Sequence, residues 1–268
     1  YRPQVVFHAA AYKHVPMLQA QLRETIRNNT VGTMVAARAA VESGVEKFIL
    51  ISTDKAVNPT SMMGVSKRIA EMVAQFNNAK STTAFITVRF GNVLGSAGSV
   101  VPLFERQIRG GGPVTVTDPM MTRYFMTISE ACQLILQACA IGRGGEIFVL
   151  NMGEPVKIDY LARQMIRLSG KVPDEEIKIR YTGLRPGEKL TEELFHPDED
   201  LAPTSYEKIL LAQSRSLDET HFESELHMLR ESVECYDHER ARQIAIGLVP
   251  EYREGEESNT TESPDQAA

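Results

Sequence analysis

The stretch "STDKAVNPTSMMGVSK", residues 52–67, places two hydroxyls, a carboxylate and an ammonium in succession: Ser52, Thr53, Asp54 and Lys55. It follows "KFILI" (47–51), an apolar run that reads as a buried strand, so the four polar groups come off a strand end. An Asp beside a Lys can give one substrate both an acid and a base, provided their pKa values lie near the working pH. Lys67 falls on the next helix-like segment, and Met63 stands four residues before it. A thioether cannot move a proton. Asp54 and Lys55 are the nearest groups able to do so, while Thr53 can only hydrogen-bond. A basic Lys55 needs a pKa lowered by burial and by nearby positive charge, which Lys67 can supply. A lone lysine on a helix is ordinarily just solvated; the combination is what singles out 52–67.

Other polar residues sit where ligands bind. "HAAAYKH" puts Lys13 and His14 just past the apolar run 5–10, and in parallel sheets ligands gather at the strands' carboxyl ends. Ala9 and Ala10 are small enough to let a flat ligand approach the backbone, although close strand packing explains them equally. Asn28 and Asn29 fall mid-helix, where Asn is disfavoured. Buried, Asn29 would need a partner such as a water or a backbone carbonyl; the alternative is solvent exposure.

The elements that carry these groups alternate. Strands are expected at 5–10, 47–52, 84–93 and 146–153, with helices over much of 17–43, then 60–79, 101–110 and 128–142. Nearly all-apolar strands between helices argue for a parallel sheet covered on both faces. A short strand at 113–117 lies outside this rhythm. After residue 150 come a helix at 157–170, a strand at 177–183 and "LRPGEKLTEELF", a turn into a helix, which together read as a small second lobe. Residues 197–250 read as a helical extension, with helices at 221–234 and 238–249. Residues 251–268 are acidic and poor in apolar groups, the composition of a disordered tail.

The 268 residues are enough for one large domain or somewhat more. A net charge of -6 argues against nucleic acid as a partner. No apolar run approaches the roughly 20 residues that span a bilayer. Cys132 and Cys139, seven apart, are expected to share a helix face packed on the core, and three cysteines without C-x-x-C point to a reduced chain. The histidines show no metal-ligand spacing, so no metal is expected. A dinucleotide fold needs G-x-G-x-x-G after its first strand, and no such match occurs. With its start almost directly on a strand, the chain is expected to be a fragment whose pyrophosphate-binding half lies upstream.

"VVFHAAAYKHVPM", "NNTVGT", "STDKAVNPTSMMGVSK", "VRFGNVLGSAGSVVPLF", "MTRYFMTISEA", "GGEIFVLNMGEPVKI" and "TGLRPGEKLTEEL" occur in this order. Together, over about residues 3–196, they resemble the nucleotide-sugar 4,6-dehydratases of polysaccharide synthesis, the CapD/WbpM-like branch of the extended short-chain dehydrogenase/reductases. The resemblance implies an α/β fold: the C-terminal part of a doubly wound, Rossmann-like sheet domain (1–155, with 95–127 contributing to the lobe) plus a small substrate-binding lobe (156–196). It implies NAD rather than NADP, a UDP-N-acetylhexosamine (UDP-GlcNAc above all), and a homo-oligomer. A parent protein anchored in the inner membrane, with this part on the cytoplasmic side, is also implied. Asp54 would protonate the leaving C6 hydroxyl and Lys55 would take the C5 proton. Thr53, Met63 and Lys67 would complete the catalytic neighbourhood, Met63 standing where the wider superfamily has a Tyr and marking the long, membrane-anchored branch. Ala9, Ala10, Asn29, Ser52 and Lys67 would face the cofactor. Lys13, His14, Asn92, Arg123, Tyr124, Arg185 and Glu188 would face the UDP-sugar, although an exposed ion pair on a surface turn explains Arg185 and Glu188 as well. The rivals are a 4-epimerase, which Met63 argues against, and a non-catalytic nucleotide-sugar-binding module, which the Asp54–Lys55 pair argues against.

Overall fold

A computed structural model describes residues 1–213 and 217–254. Strand β1 (Val5–His8) leads through an irregular segment into α1 (Val15–Ala20) and α2 (Leu22–Thr25). A π-helical turn, Ile26–Val31, then passes directly into α3 (Gly32–Glu42). The expected single helix over 17–43 is therefore broken at Gln21 and widened at 26–31. Such widened turns recur at functional sites, and this one carries Asn29. Next come β2 (Lys47–Ile51), a 3-10 turn at Asp54–Ala56, α4 (Met62–Lys80) and β3 (Ala84–Arg89). The strand expected over 84–93 ends at Arg89, because Phe90–Gly91 turns the chain out of the sheet and Asn92–Val93 forms β4.

The second half begins with α5 (Val100–Arg109), β5 (Val114–Val116), β6 (Thr122–Arg123) and β7 (Phe125–Met126). It continues with α6 (Ile128–Ile141), β8 (Ile147–Leu150), β9 (Val156–Lys157), α7 (Ile158–Leu168) and β10 (Ile179–Tyr181). It closes with β11 (Leu201–Pro203), β12 (Ile209–Ala212), α8 (Glu219–Glu234) and α9 (His238–Leu248).

The main sheet runs β1-β2-β3-β8-β12-β11. Its first four strands are parallel, and β12 and β11 add antiparallel. Phe48, Ile49 and Leu50 of β2 are wholly buried, as a central parallel strand covered on both faces requires. One face packs against α3, α4, α8 and α9, the other against α6. A third core joins Phe104, Val114 and Val116 to Ile158, Ala162, Ile166 and Ile177. The lobe built from α5, β5, α7 and β10 thus has its own apolar centre, and β10 pairs with β5.

Several expectations are corrected. Residues 197–250 are not only helical: "ILLA" extends the sheet beyond β8, burying Ile209 and Ala212. "LRPGEKLTEELF" forms no helix. Its Lys189 and Leu190 carbonyls accept instead from Arg123, and the Leu190 carbonyl also accepts from Thr122 N–H, so tertiary bonds replace the helical ladder. The first residues of the expected disordered tail are packed: Tyr252 is buried and Arg253 N–H donates to the Pro59 carbonyl. The remainder, 255–268, lies outside the described residues. Cys132 is exposed, because α6 turns Ala131, Leu134 and Ala138 inward; Cys139 is half-buried.

Candidate active site

The turn after β2 is locked from two directions. Thr53 caps the Asp54–Ala56 turn, its hydroxyl accepting from Lys55 N–H at 3.4 Å. Ser61 caps α4 by accepting from Gly64 N–H at 3.1 Å. A Cβ on Gly64 would stand 2.2 Å from the Lys55 carbonyl, so only glycine lets α4 lie this close to the turn. That contact fixes both Met63 and Lys67 relative to Lys55.

Two clefts meet at Lys55. The larger, about 640 Å³, lies against the lobe and is lined by Thr115, Thr117, Arg123, Arg185, Glu188 and Glu192, among others. The second, about 350 Å³, runs along the sheet's carboxyl edge past Ala9, Ser52, Thr53, Met63 and Lys67. Lys13, His14, Lys55, Asn92, Gly98 and Ser99 line both. His14 fits there because Gly98 has φ +69 and no side chain; a Cβ would approach His14 Cε1 to 2.6 Å.

The Lys55 ammonium has three donors and meets three acceptors. Nζ lies 3.0 Å from Asp54 Oδ1, 3.3 Å from Asn92 Oδ1 and 3.3 Å from Glu192 Oε1. Burial disfavours its charge, but the Asp54 and Glu192 carboxylates outweigh burial and the Arg123 repulsion, so its pKa is raised. This corrects the expectation of a lowered value: the positive neighbours are outmatched by two carboxylates. Asp54 is fully buried; its Oδ1 also accepts from Thr53 Oγ1 at 2.9 Å, while Oδ2 has no hydrogen-bond partner.

Lys67 takes the opposite course. Burial lowers its pKa to about 8 against the pull of Glu71, and Nζ donates to the Ile51 carbonyl at 2.7 Å. His8, half-buried, is lowered by burial and by Lys67; its Nε2 lies 3.0 Å from Thr33 Oγ1. Met63 is buried against Val15 and Leu18 while lining the second cleft.

The remaining expected residues divide. Asn92 touches Lys55, and Arg123, Arg185 and Glu188 line the larger cleft. Arg185 is at the same time an exposed ion pair with Glu188 at 2.8 Å. Ser52 donates its hydroxyl to Glu71 at 2.6 Å and lines the second cleft only with what remains. Asn29, Ala10 and Tyr124 line neither cleft. Asn29 is buried and grips the Tyr12 backbone in both directions, at 2.8 Å and 3.0 Å, and Ser66 Oγ at 3.0 Å, so it anchors the loop bearing Lys13 and His14. Tyr124 is half-buried and packs against the core on the α6 side of the sheet. Sequence reasoning missed Glu192, since one of two adjacent glutamates in "TEEL" carries no signal of burial. It also missed Glu71, whose only signal was its place one turn beyond Lys67. Among the described residues no cluster of His, Cys, Asp or Glu could hold a metal, and no helix is long and apolar enough to cross a membrane.

A sheet of parallel strands with the 52–56 turn at their carboxyl edge, flanked by a lobe-side cleft, defines a Rossmann-like α/β fold. The family model described as polysaccharide biosynthesis protein matches residues 1–214, and the chain belongs to that family. It is 59% identical to the capsular polysaccharide biosynthesis protein CapD of Staphylococcus aureus, over 78% of this chain and 35% of that protein. It is 40% identical to the UDP-glucose 4-epimerase of Rickettsia bellii (strain OSU 85-389), over 72% of this chain and 56% of that one. The chain thus spans about a third of the CapD relative's length. Among solved structures, Pen from Bacillus thuringiensis superposes with a TM-score of 0.73 at 38% identity, covering 79% of this chain and 66% of that one. The dTDP-glucose 4,6-dehydratase DesIV of Streptomyces venezuelae, solved with NAD, shares the fold at a TM-score of 0.64 and 22% identity, covering 72% and 64%.

Proposed function

We propose that this chain carries the acid–base centre and sugar-binding cleft of an NAD-dependent nucleotide-sugar 4,6-dehydratase acting on a UDP-N-acetylhexosamine, UDP-GlcNAc first among them, in surface polysaccharide synthesis. The observation that carries the proposal is Lys55, hydrogen-bonded to Asp54 at the junction of the two clefts. The fit to a dinucleotide rests on the second cleft, where Ala9 leaves the backbone approachable and Lys67 and Thr53 present polar groups. Bound there, NAD would supply hydride acceptance at the sugar's C4, whose hydroxyl proton leaves to solvent, and hydride return at C6, as C5 regains a proton.

The chain's own residues then handle protons. Lys55 passes one along the 3.0 Å bond to Asp54 Oδ1, which leaves an amine and a carboxylic acid side by side. Once C4 is a ketone, the amine takes the C5 proton. The C5–H electron pair becomes the C5–C6 double bond, the C6–O bond breaks, and Asp54 protonates the departing hydroxyl as water. The elimination itself restores the ammonium and the carboxylate. Arg185 and Glu188 are assigned to the diphosphate and ribose, Asn92, Lys13 and His14 to the sugar, and Thr115 and Thr117 to the base.

Relatives bearing the name UDP-glucose 4-epimerase favour a second reading, in which C4 is inverted and no water is lost. Met63 argues against it, because C4 inversion calls for a proton-carrying group at that position. The test is to extend the chain at its N terminus with the preceding part of CapD, add UDP-GlcNAc and NAD, and follow the products by NMR. A 4-keto-6-deoxy sugar is expected from the extended protein and none from this chain alone. A C4 epimer retaining its C6 hydroxyl would replace dehydration with epimerisation, and product from the unextended chain would refute the need for an upstream half.

A further inference from the structure

Glu192 has no part in the scheme above, yet its placement is elaborate. The loop 184–195 that bears it is irregular backbone, held down at several points. Arg123 donates to the carbonyls of Lys189 at 2.8 Å and Leu190 at 3.2 Å, and Lys189 Nζ donates to the Val57 carbonyl at 3.0 Å. Thr60 Oγ1 meets the Gly187 carbonyl at 3.1 Å. The result brings a carboxylate that is 93% buried, being 7% exposed, to 3.3 Å from Lys55 Nζ and 3.6 Å from Arg123 Nε. Its second oxygen, Oε2, is buried with no hydrogen-bond partner. An unpartnered buried acceptor costs stability, so the placement of this carboxylate calls for an explanation.

We propose that Glu192 is a positioning residue for Lys55: it clamps the ammonium against Asp54 where the two clefts meet, and its charge sets how firmly Lys55 holds its proton. The inference rests on the dehydratase reading for its purpose but not for its test. The charged groups facing Lys55 are Asp54 on its own turn, Glu192 from the 184–195 loop and Arg123 from β6, with neutral Asn92 from β4; Lys13 and His14 line the same junction. A ketone-activated C–H is a weak acid, so an amine that gains a well-stabilised ammonium is the better base for it. Glu192 supplies that stabilisation while Asp54 is protonated and uncharged. Without Glu192, Lys55 would yield its proton more easily but draw the carbon-bound proton less strongly.

The experiment uses the chain as it stands. Lysines are reductively methylated with 13C-formaldehyde, and the Lys55 dimethylammonium signal, assigned by its loss in Lys55→Arg, is titrated by NMR. Wild type should titrate above an ordinary lysine. Glu192→Gln should lower the midpoint by about 1–3 pH units, the range for an opposite charge at this distance, and Glu192→Asp should retain most of the elevation. Circular dichroism confirms that each variant is folded; should Glu192→Gln not fold, Glu192→Met, similar in length and uncharged, takes its place and should lower the midpoint likewise. An unmoved midpoint in folded Glu192→Gln overturns the proposal. A shifted midpoint alongside failure of the extended protein to dehydrate UDP-GlcNAc would leave the clamp standing and remove the dehydratase.

Discussion

Replacing Glu71 with Gln separates a buried charge from its shape. Glu71 is 2% exposed and accepts from Ser52 Oγ at 2.6 Å, from Arg89 Nε and Nη2 at 2.8 Å and 2.7 Å, and from Arg68 Nη1 at 3.1 Å. Arg89 is in turn held by Glu199 at 2.7 Å. Burial raises the Glu71 pKa, but the Arg89 and Arg68 charges and these hydrogen bonds overturn that and lower it from 4.5 to about 2. Removing one partner of such a buried pair leaves the other charge uncompensated, a loss of about 3–5 kcal/mol near neutral pH. Because the folded pKa lies below the unfolded one, the carboxylate's contribution is fully present above about pH 4.5. It is lost as pH falls toward 2, and amounts to about 3 kcal/mol at 1.36 kcal/mol per unit. Urea unfolding of wild type and Glu71→Gln, followed by circular dichroism between pH 7 and pH 2, reads the difference. The gap between the two proteins should stay near its neutral value to pH 5 and shrink by about 3 kcal/mol by pH 2. A gap independent of pH would show that packing, and not the carboxylate charge, accounts for the loss.

In the N-terminally extended protein, Lys55→Met or Asp54→Asn should lower turnover at least about 100-fold, while Met63→Ala costs far less; equal damage from Met63→Ala would overturn the assignment of roles. Gly64→Ala would force its Cβ to 2.2 Å from the Lys55 carbonyl, and thermal melting should show a loss of about 1–3 kcal/mol, the range for overpacking. With a folded pKa of about 8, Lys67 has released its proton between about pH 8 and 10.5 while the unfolded chain still holds it, so this group makes stability rise with pH across that window; Lys67→Met should lack that rise in denaturant titrations. β1 is an edge strand with Val5 and Phe7 exposed and neither Pro nor charge along it, so the chain should self-associate in sedimentation and Phe7→Lys should reduce this.

The parallel sheet was legible because "KFILI" and "EIFVL" are apolar on both faces, which a central strand demands, and because glycines closed the helices between. The two antiparallel strands after residue 200 were not. "ILLA" is four residues long, and its reason for being a strand is the free edge of β8, a neighbour more than fifty residues away in the chain. Asn29 was flagged by its poor fit to a helix interior, and a carbonyl partner was among the possibilities; that the carbonyl would be that of Tyr12 is a tertiary fact. "LRPGEKLTEELF" failed as a helix for the same reason, since Arg123 claims the carbonyls that a helix would have used. Lys55 shows the limit most sharply. Its place at a strand end suggested a reactive lysine, but its pKa is set by burial against two carboxylates, Asp54 beside it and Glu192, the latter 137 positions away in the sequence and 3.3 Å away in space.

The upward direction of that shift changes what the proposed chemistry asks of the site. An ammonium bonded to a carboxylate holds one proton that can sit on either partner, so a single transfer over 3.0 Å arms both roles together. In the proposed scheme the raised pKa of Lys55 makes that transfer uphill, so the neutral amine forms only on the reaction path. The scheme also gives Met63 a consistent place. In it acid and base are both on the turn at 54–55, so the position on α4 need only be apolar, and Met63 packs on Val15 and Leu18 while lining the second cleft. The two lysines are thus set apart by their partners: Lys55 has carboxylates on two sides and keeps its proton, whereas Lys67 has a backbone carbonyl and a more distant Glu71 and holds its proton less firmly.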